Sequence, residues 1–388
     1  MSQKKIAVVT SSRADFGLLL PVIKKMEASE ALDVEVWVTG SHLSTHFGMT
    51  VQDIEKAGLS VSEKVPSIDG VDSEAANTRS IARGLDGFAD VLSRKKPDLI
   101  MVLGDRFEIL SVALAALFFK IPLAHLCGGD VTQGAFDEST RHSITKCSHI
   151  HFVTNEVARR RVIQMGENPE LVFNFGSPAI DLMNEISLMD KAQLEENLNI
   201  EFSTTNFLVT FHPETLASGN SMDSTRAQVE EFFAALEAYS GRASFFITGV
   251  NPDKSFSVVE KKIAQFCQNI PKAYSFSSLG QKRYWSLMQI ADVVVGNSSS
   301  GLYEAPSYKT PTVNVGDRQK GRLMATSVLS VPNKKEEIQV AIEKALKANF
   351  KDVSNPYGSG GAAAQICKKL ESISNFSHLI QKRFYDFD

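Results

Sequence analysis

The sequence has no stretch approaching the ~20 apolar residues that cross a bilayer, and its apolar tract from Ile109 to Leu126 is interrupted by Lys120 and Pro122. It reads as helix, break, strand, and no membrane partner is expected. Cysteine is scarce, and Cys127, Cys147, Cys267 and Cys367 form no C-x-x-C pair. That excludes a zinc-ribbon ligand set and a disulfide framework, leaving reduced thiols as the default. No charge sign dominates: 41 Lys and Arg face 45 Asp and Glu, a net charge of −4. Such a chain has no general attraction for nucleic acid or an anionic bilayer, so an anionic ligand needs a local pocket. No G-x-G-x-x-G or G-x-x-x-x-G-K-[ST] follows a strand, which argues against a dinucleotide or an ATP phosphate loop. The opening MSQKKIAVVTSS has an apolar part of only strand length, too short for a secretory signal, so a cytoplasmic location is expected. Repeats at solenoid or propeller periods are absent as well.

What is present is ordinary soluble-protein composition, 43% hydrophobic and 22% charged. A chain of 388 residues outgrows one core, so two domains of roughly 180–200 residues are expected. Short β-branched runs alternate with amphipathic segments: KIAVVT, DFGLLLPVIKKMEAS, VEVWVTG, then DLIMVLGD, EILSVALAALFFK, PLAHLC. This is the βαβ rhythm of a parallel sheet. It resumes with NFLVTFH, SFFITGV, DVVVGN and PTVNVGD. The predicted fold class is therefore α/β, two Rossmann-like doubly wound domains facing a cleft. Residues 1–190 form the first domain and 200–372 the second. A terminal helix over 374–388 is expected to pack back on the first.

Ligands of such sheets bind beyond the carboxyl ends of the strands, where two groups of residues collect. The stretch DVVVGNSSSGLYEAPS puts Ser298, Ser299 and Ser300 at the start of a helix, whose free N–H groups suit a diphosphate. Glu304 follows where it can accept from ribose hydroxyls. Arg318 and Arg322 in NVGDRQKGR offer parallel donors to phosphate. Arg13, after the first strand, is expected to reach the same diphosphate. Asn251, past SFFITGV, is a further substrate-binding candidate. The anion implied is that of a nucleotide sugar.

The second group carries acid–base chemistry. LIMVLGDRFE places Asp105 at a strand end, and HLCGGDVTQGAFDESTRH delivers Asp130, Asp137, Glu138, Arg141 and His142. Gly128 and Gly129 would let backbone approach a ligand closely. NFLVTFHPET ends a strand at His212, placed for proton transfer or a phosphate contact.

Taken in order, SRADFG, VLGDRFE, GGDVTQGAFDESTRHSITK, FHPET, GNSSSGLYEAPS, NVGDRQKGR and NPYGSG resemble the hydrolysing UDP-N-acetylglucosamine 2-epimerases, over almost the whole chain. The resemblance implies a fold like the type-B glycosyltransferases, with UDP held mainly by the second domain. It implies Asp105, Asp137 and His212 as catalytic groups, and Arg13, Ser298, Ser299, Glu304 and Arg318 around the nucleotide. It implies no metal or nicotinamide cofactor, and commonly a homodimer. The reaction would convert UDP-N-acetylglucosamine and water to N-acetylmannosamine and UDP through a 2-acetamidoglucal, opening sialic-acid-type sugar synthesis. Several members carry a catalytic Glu just before the Gly-Gly pair; here that position is Cys127, and Asp130 stands after the pair as a candidate replacement. A related branch acting on UDP-2,4-diacetamido-2,4,6-trideoxyglucose, for legionaminic acid, shares the motifs. A retaining glycosyltransferase and a UDP-sugar sensor remain as alternatives.

Overall fold

The computed structural model describes residues 3–68, 74–131, 137–212, 222–249 and 256–387. Two compact units emerge, one from Met1–Leu182 with Gly360–Asp388, the other from Met183–Ser359.

In the first unit seven strands form one parallel sheet: β1 (Lys4–Thr10), β2 (Leu32–Thr39), β3 (Val61–Val65), β4 (Leu99–Leu103), β5 (Leu123–Leu126), β6 (Ile150–Val153) and β7 (Val172–Asn174). Their order is β3-β2-β1-β4-β5-β6-β7, so the direction of winding reverses between β1 and β4. The alternation of a strand explains the two-sided core. Ile6 and Val8 pack on one face with Leu19, Val22, Ile23 and Met26 of the Arg13–Glu27 helix. Ala7 and Val9 point to the other face, against Phe88, Leu92, Ile109 and Val112. The Arg13–Glu27 helix starts with a capping box: Asp15 N donates to Ser12 Oγ, and Ser12 N donates back to the Asp15 carboxylate.

The second unit repeats the plan with β8 (Thr205–Thr210), β9 (Ala243–Thr248), β10 (Ala273–Phe276), β11 (Val293–Gly296), β12 (Thr312–Val315) and β13 (Val328–Val331). These parallel strands run in the order β10-β9-β8-β11-β12-β13, reversing between β8 and β11. Phe207, Val209, Val293 and Val295 meet Phe232, Phe233, Leu236 and Ile342 on one side, while Leu208, Phe246 and Val294 meet Leu287 and Met288 on the other. Gly296 has φ +141, and a Cβ there would collide with the Thr210 carbonyl of the neighbouring strand.

The domain limits differ from those expected. The Ala362–Ser372 helix, assigned by sequence to the second domain, belongs to the first unit, where Ala363, Ile366, Cys367 and Leu370 join the core beside the Arg13–Glu27 helix. Its two ends explain the placement. The Asp181 carboxylate accepts from the Gly361, Ala362 and Ala363 amides, and the Lys4 ammonium donates to the carbonyls of Leu370, Glu371 and Ile373. Opposite charges thus sit at the matching ends of the helix dipole. Nor is 374–388 a helix: Phe376–Ile380 is a short 3-10 turn, and residues 381–387 run without regular structure. Tyr385 N donates to Gly166 O, and Lys382 donates to Glu167 and to the Lys146 and Ser148 carbonyls, contacts incompatible with a helical tail. Among the described residues, no helix is long and apolar enough to cross a membrane.

Candidate functional site

Asp105 in the first unit, and His212 and the serine turn in the second, follow strands beside the reversal of winding, the usual ligand position of this fold, while Asp130 and Arg318 follow the next strands along. Each is described within its own unit.

In the first unit, β4 ends and Gly104 turns the chain at φ +87, presenting Asp105. From the Asp137–Cys147 helix, Arg141 reaches back so that its guanidinium donates to the Asp105 carboxylate. The same guanidinium donates to Asp130 O at 2.9 Å and to Glu138 at 3.3 Å. Glu138 also meets His142 at 3.2 Å, and Asn155 Nδ2 donates to the Asp130 side chain at 3.1 Å. Arg141 is 3% exposed, so a nearly buried cation organises Asp105, Asp130, Glu138 and His142. Asp137 begins the helix. Burial pushes its carboxyl above the usual carboxylate range, the charge of Asp105 adds to this, and Arg106 and Arg141 oppose it. The two candidate carboxyl groups are therefore unlike: one is bonded to an arginine, the other is raised by burial above the ordinary carboxylate range.

Sequence reasoning passed over Arg106 and Glu108, although both stand in the VLGDRFE motif. Glu108 is fully buried in the first turn of its helix and binds Arg106 through both oxygens, at 3.2 and 2.7 Å. Burial works against the Arg106 charge, yet Glu108 holds the guanidinium above its ordinary value. Cys127 sits at φ +61; burial pushes its thiol up, and Asp130 and Asp105 push the same way. It is a thiol, not a replacement carboxylate. The Gly-Gly pair also has a packing cause. A Cβ on Gly128 would come 2.8 Å from His125 Nδ1, and one on Gly129 would lie 2.5 Å from Ala158 O. Arg13 stands apart at the surface, 69% exposed at its side chain, with Nε 3.3 Å from Asp53.

In the second unit the organiser is Asn297, another residue not singled out by sequence, fully buried immediately after β11. Its side chain pairs with the His212 backbone twice, accepting from N at 2.8 Å and donating to O at 2.8 Å. Its own carbonyl accepts from Arg318 at 3.2 Å and Gln319 at 2.8 Å. One residue, by its side chain and its backbone carbonyl, thereby joins the end of β8, the end of β11 and the Arg318 loop. Burial, reinforced by the Arg318 charge, drives the His212 imidazole down to about 4, so it is neutral near pH 7.

The serine-rich turn opens only a short helix, and Glu304, expected inside it, caps its end. Ser300–Tyr303 is a single turn, followed by a 3-10 turn at Ala305–Tyr308 into which Pro306 brings no amide donor. Ser298 accepts from the Ser300 hydroxyl at 3.1 Å, and Ser300 meets the Tyr284 hydroxyl at 2.5 Å. Ser299 makes no side-chain cap. Glu304 ends the turn, and burial raises its carboxyl to about 7, against a hydrogen bond from Trp285. Arg322 lies 5.6 Å above the Tyr303 ring, which stacks on Tyr357 at 3.9 Å. NPYGSG supplies the clasp: Asn355 donates to Tyr303 O and Ser307 Oγ, and Tyr357 Oη donates to Leu323 O. Asn251 lies outside the described residues.

The first Rossmann-like unit thus carries a carboxylate cluster and the second a His, Arg and hydroxyl group, each of them equipment of a nucleotide-sugar enzyme class. The model of the UDP-N-acetylglucosamine 2-epimerase family matches residues 24–371, and the chain belongs to that family. It is 37% identical over 352 residues to the GDP/UDP-N,N'-diacetylbacillosamine 2-epimerase (hydrolyzing) of Campylobacter jejuni, covering 90% of each protein. It is 34% identical to polysialic acid biosynthesis protein P7 of Escherichia coli, over 99% of this chain and 97% of that one. The Legionella pneumophila UDP-N,N'-diacetylbacillosamine 2-epimerase (hydrolyzing) is 30% identical over 98% of both. Among solved structures, UDP-GlcNAc 2-epimerase from Neisseria meningitidis bound to UDP-GlcNAc superposes with a TM-score of 0.71 at 19% identity, over 94% of this chain and 99% of that one.

Proposed function

We propose that the chain is a hydrolysing UDP-N-acetylglucosamine 2-epimerase, yielding N-acetylmannosamine and UDP. The observation that carries this reading, beside family membership, is the pair of unlike carboxyl groups, Asp105 bonded to Arg141 and Asp137 raised by burial. C2 of the sugar has no adjacent carbonyl, so its proton leaves only with departure of UDP. Asp105 takes the C2 proton, the C1–O bond breaks with its electron pair going to UDP, and a C1–C2 double bond forms. Asp137 then delivers a proton to the opposite face of C2 while water adds at C1 and passes its proton to the phosphate of the released UDP. Asp130 steadies Arg141 through its carbonyl, with Glu138 and His142 completing that support on the substrate side. In the second unit Arg318, Arg322 and the hydroxyls of Ser298 and Ser299 take the growing phosphate charge, Ser300 orders that turn, neutral His212 donates to it, and Glu304 receives the ribose hydroxyls. Arg13 and Asn251 complete the substrate contacts in this reading, which carries with it a cytoplasmic homodimer opening sialic-acid-type synthesis.

A second substrate is favoured by the Campylobacter and Legionella relatives: UDP-2,4-diacetamido-2,4,6-trideoxyglucose. Incubating the protein with each UDP sugar in deuterated water and following products by NMR separates the cases. Release of UDP with deuterium at C2 and the inverted free sugar is expected. If neither sugar yields UDP, or the sugar appears without deuterium at C2, the epimerase reading is lost.

A further inference from the structure

We infer that His125 is a positioning residue which fixes the Gly104–Asp105 turn against the Asp137–Cys147 helix, so that the carboxyl groups carried by these two elements keep their mutual placement. The inference rests on the reaction proposed above and adds to it a residue that touches no substrate.

His125 lies in β5 between Ala124 and Leu126, with no exposed surface. A polar ring in such a place is costly unless both nitrogens are bonded. Nε2 lies 2.8 Å from Gly104 O, and since a carbonyl only accepts, Nε2 carries the hydrogen. Nδ1 is then the acceptor, 3.2 Å from the Thr145 hydroxyl. The single hydrogen of that hydroxyl is shared between Nδ1 and the carbonyl of Arg141, 3.0 Å away, the residue whose guanidinium grips Asp105. The turn and the helix are therefore joined twice, by the Asp105–Arg141 pair at the site and by His125–Thr145 beneath it. Gly128 keeps this lower link open, because a Cβ there would sit 2.8 Å from Nδ1 and 3.1 Å from the Thr145 hydroxyl.

The imidazole takes no part in proton transfer. Burial drives it down to about 3, the charges of His151, Arg141 and His142 push the same way, and only the bond to Gly104 opposes them. A neutral ring with a fixed donor and a fixed acceptor is a spacer.

The test uses full-length His125→Leu, His125→Gln and Thr145→Val. With an active wild type, His125→Leu should lower kcat about 100-fold, the size expected of a displacement near 1 Å, with KM and UDP affinity unchanged. Gln, which keeps a donor for Gly104 O, should recover most of that loss, and Thr145→Val should fall in the same direction. The pH limbs of kcat should not move. Amide hydrogen exchange provides a readout without turnover: Asp105, Arg106 and residues 141–146 should exchange faster in the Leu and Val variants while β1 does not. A wild type inert toward both UDP sugars would remove the proposed reaction and leave the exchange measurement to decide the positioning role. Unchanged exchange, an unchanged kcat in either folded variant, or a shifted pH limb would overturn the inference.

Discussion

Replacing Asp137 by Asn tests the assignment of the second carboxyl group most directly. The amide keeps the size of the side chain and the start of the helix but cannot return a proton to C2. Loss of a general acid costs about 10²–10⁴-fold in rate, and the middle of that range, about 10³-fold, is about 4 kcal/mol of barrier. UDP affinity should be unaffected, because, Arg13 apart, the groups proposed to hold UDP belong to the other unit. Stability should move the opposite way from activity. The Asp137 carboxyl is raised above its ordinary value of 3.8 in the folded chain, so its contribution is fully present below that value and is lost as pH rises through the raised one. Asn does not titrate. The variant should therefore melt higher than wild type at neutral pH, with the advantage vanishing in acid. NMR product analysis, titration calorimetry with UDP and melting at pH 7.5 and 3.5 give the three readouts. A variant turning over within about tenfold of wild type would refute the role, since no general acid of this kind contributes so little. Lower melting at neutral pH would refute the burial argument.

Three further outcomes are expected. Asn297→Ala removes the two side-chain bonds to the His212 backbone while leaving the carbonyl that accepts from Arg318 and Gln319, and should weaken UDP binding about 10–100-fold, the value of one to two hydrogen bonds; unchanged calorimetric affinity would contradict this. Lys382→Met strips one cation from Glu167, which is 2% exposed and keeps Lys146 and His151, and should cost about 1–3 kcal/mol in urea unfolding; an unchanged midpoint would show the tail is not anchored there. His212 and His149 are held down to about 4 and His125 to about 3, so the stability they confer is complete above 6.5 and is lost as pH falls through those values. Calorimetry should show melting temperature dropping between pH 6.5 and 4, and a flat profile would oppose the burial assignments.

Much of the fold is legible because parallel strands covered on both faces must be apolar at every position, and KIAVVT or DVVVGN can hardly be anything else. The rule that ligands meet strand ends then finds Asp105, His212 and the Ser298–Ser300 turn without coordinates. Non-local partners stay hidden. Nothing in AAAQICKKLES says which sheet it covers; that is decided by Asp181, 180 residues away from Gly361, and by Lys4, 366 residues away from Leu370. Asn297, just after a strand, and His125, within one, look like ordinary polar residues, because their importance lies in bonding groups of other strands and helices. The tail from Lys382 to Phe387 has an apolar pattern that suits a helix, yet the aromatic ring of Phe384 packs where Gly166 has no side chain. Gly128 and Gly129 invite a ligand reading, and packing against His125 and Ala158 accounts for them.

Asp181 bonds to the Gly361 amide, and Asn184 donates to Ser359 O at 3.1 Å, so the two places where the chain leaves one unit for the other are stapled side by side. Each half accordingly has neighbouring ends after excision. A few glycines joining Leu182 to Gly360 would make one half a continuous polypeptide, and Met183–Ser359 could be expressed alone or circularly permuted at little entropic penalty. The folding and stability of each half then become measurable on a small protein of its own.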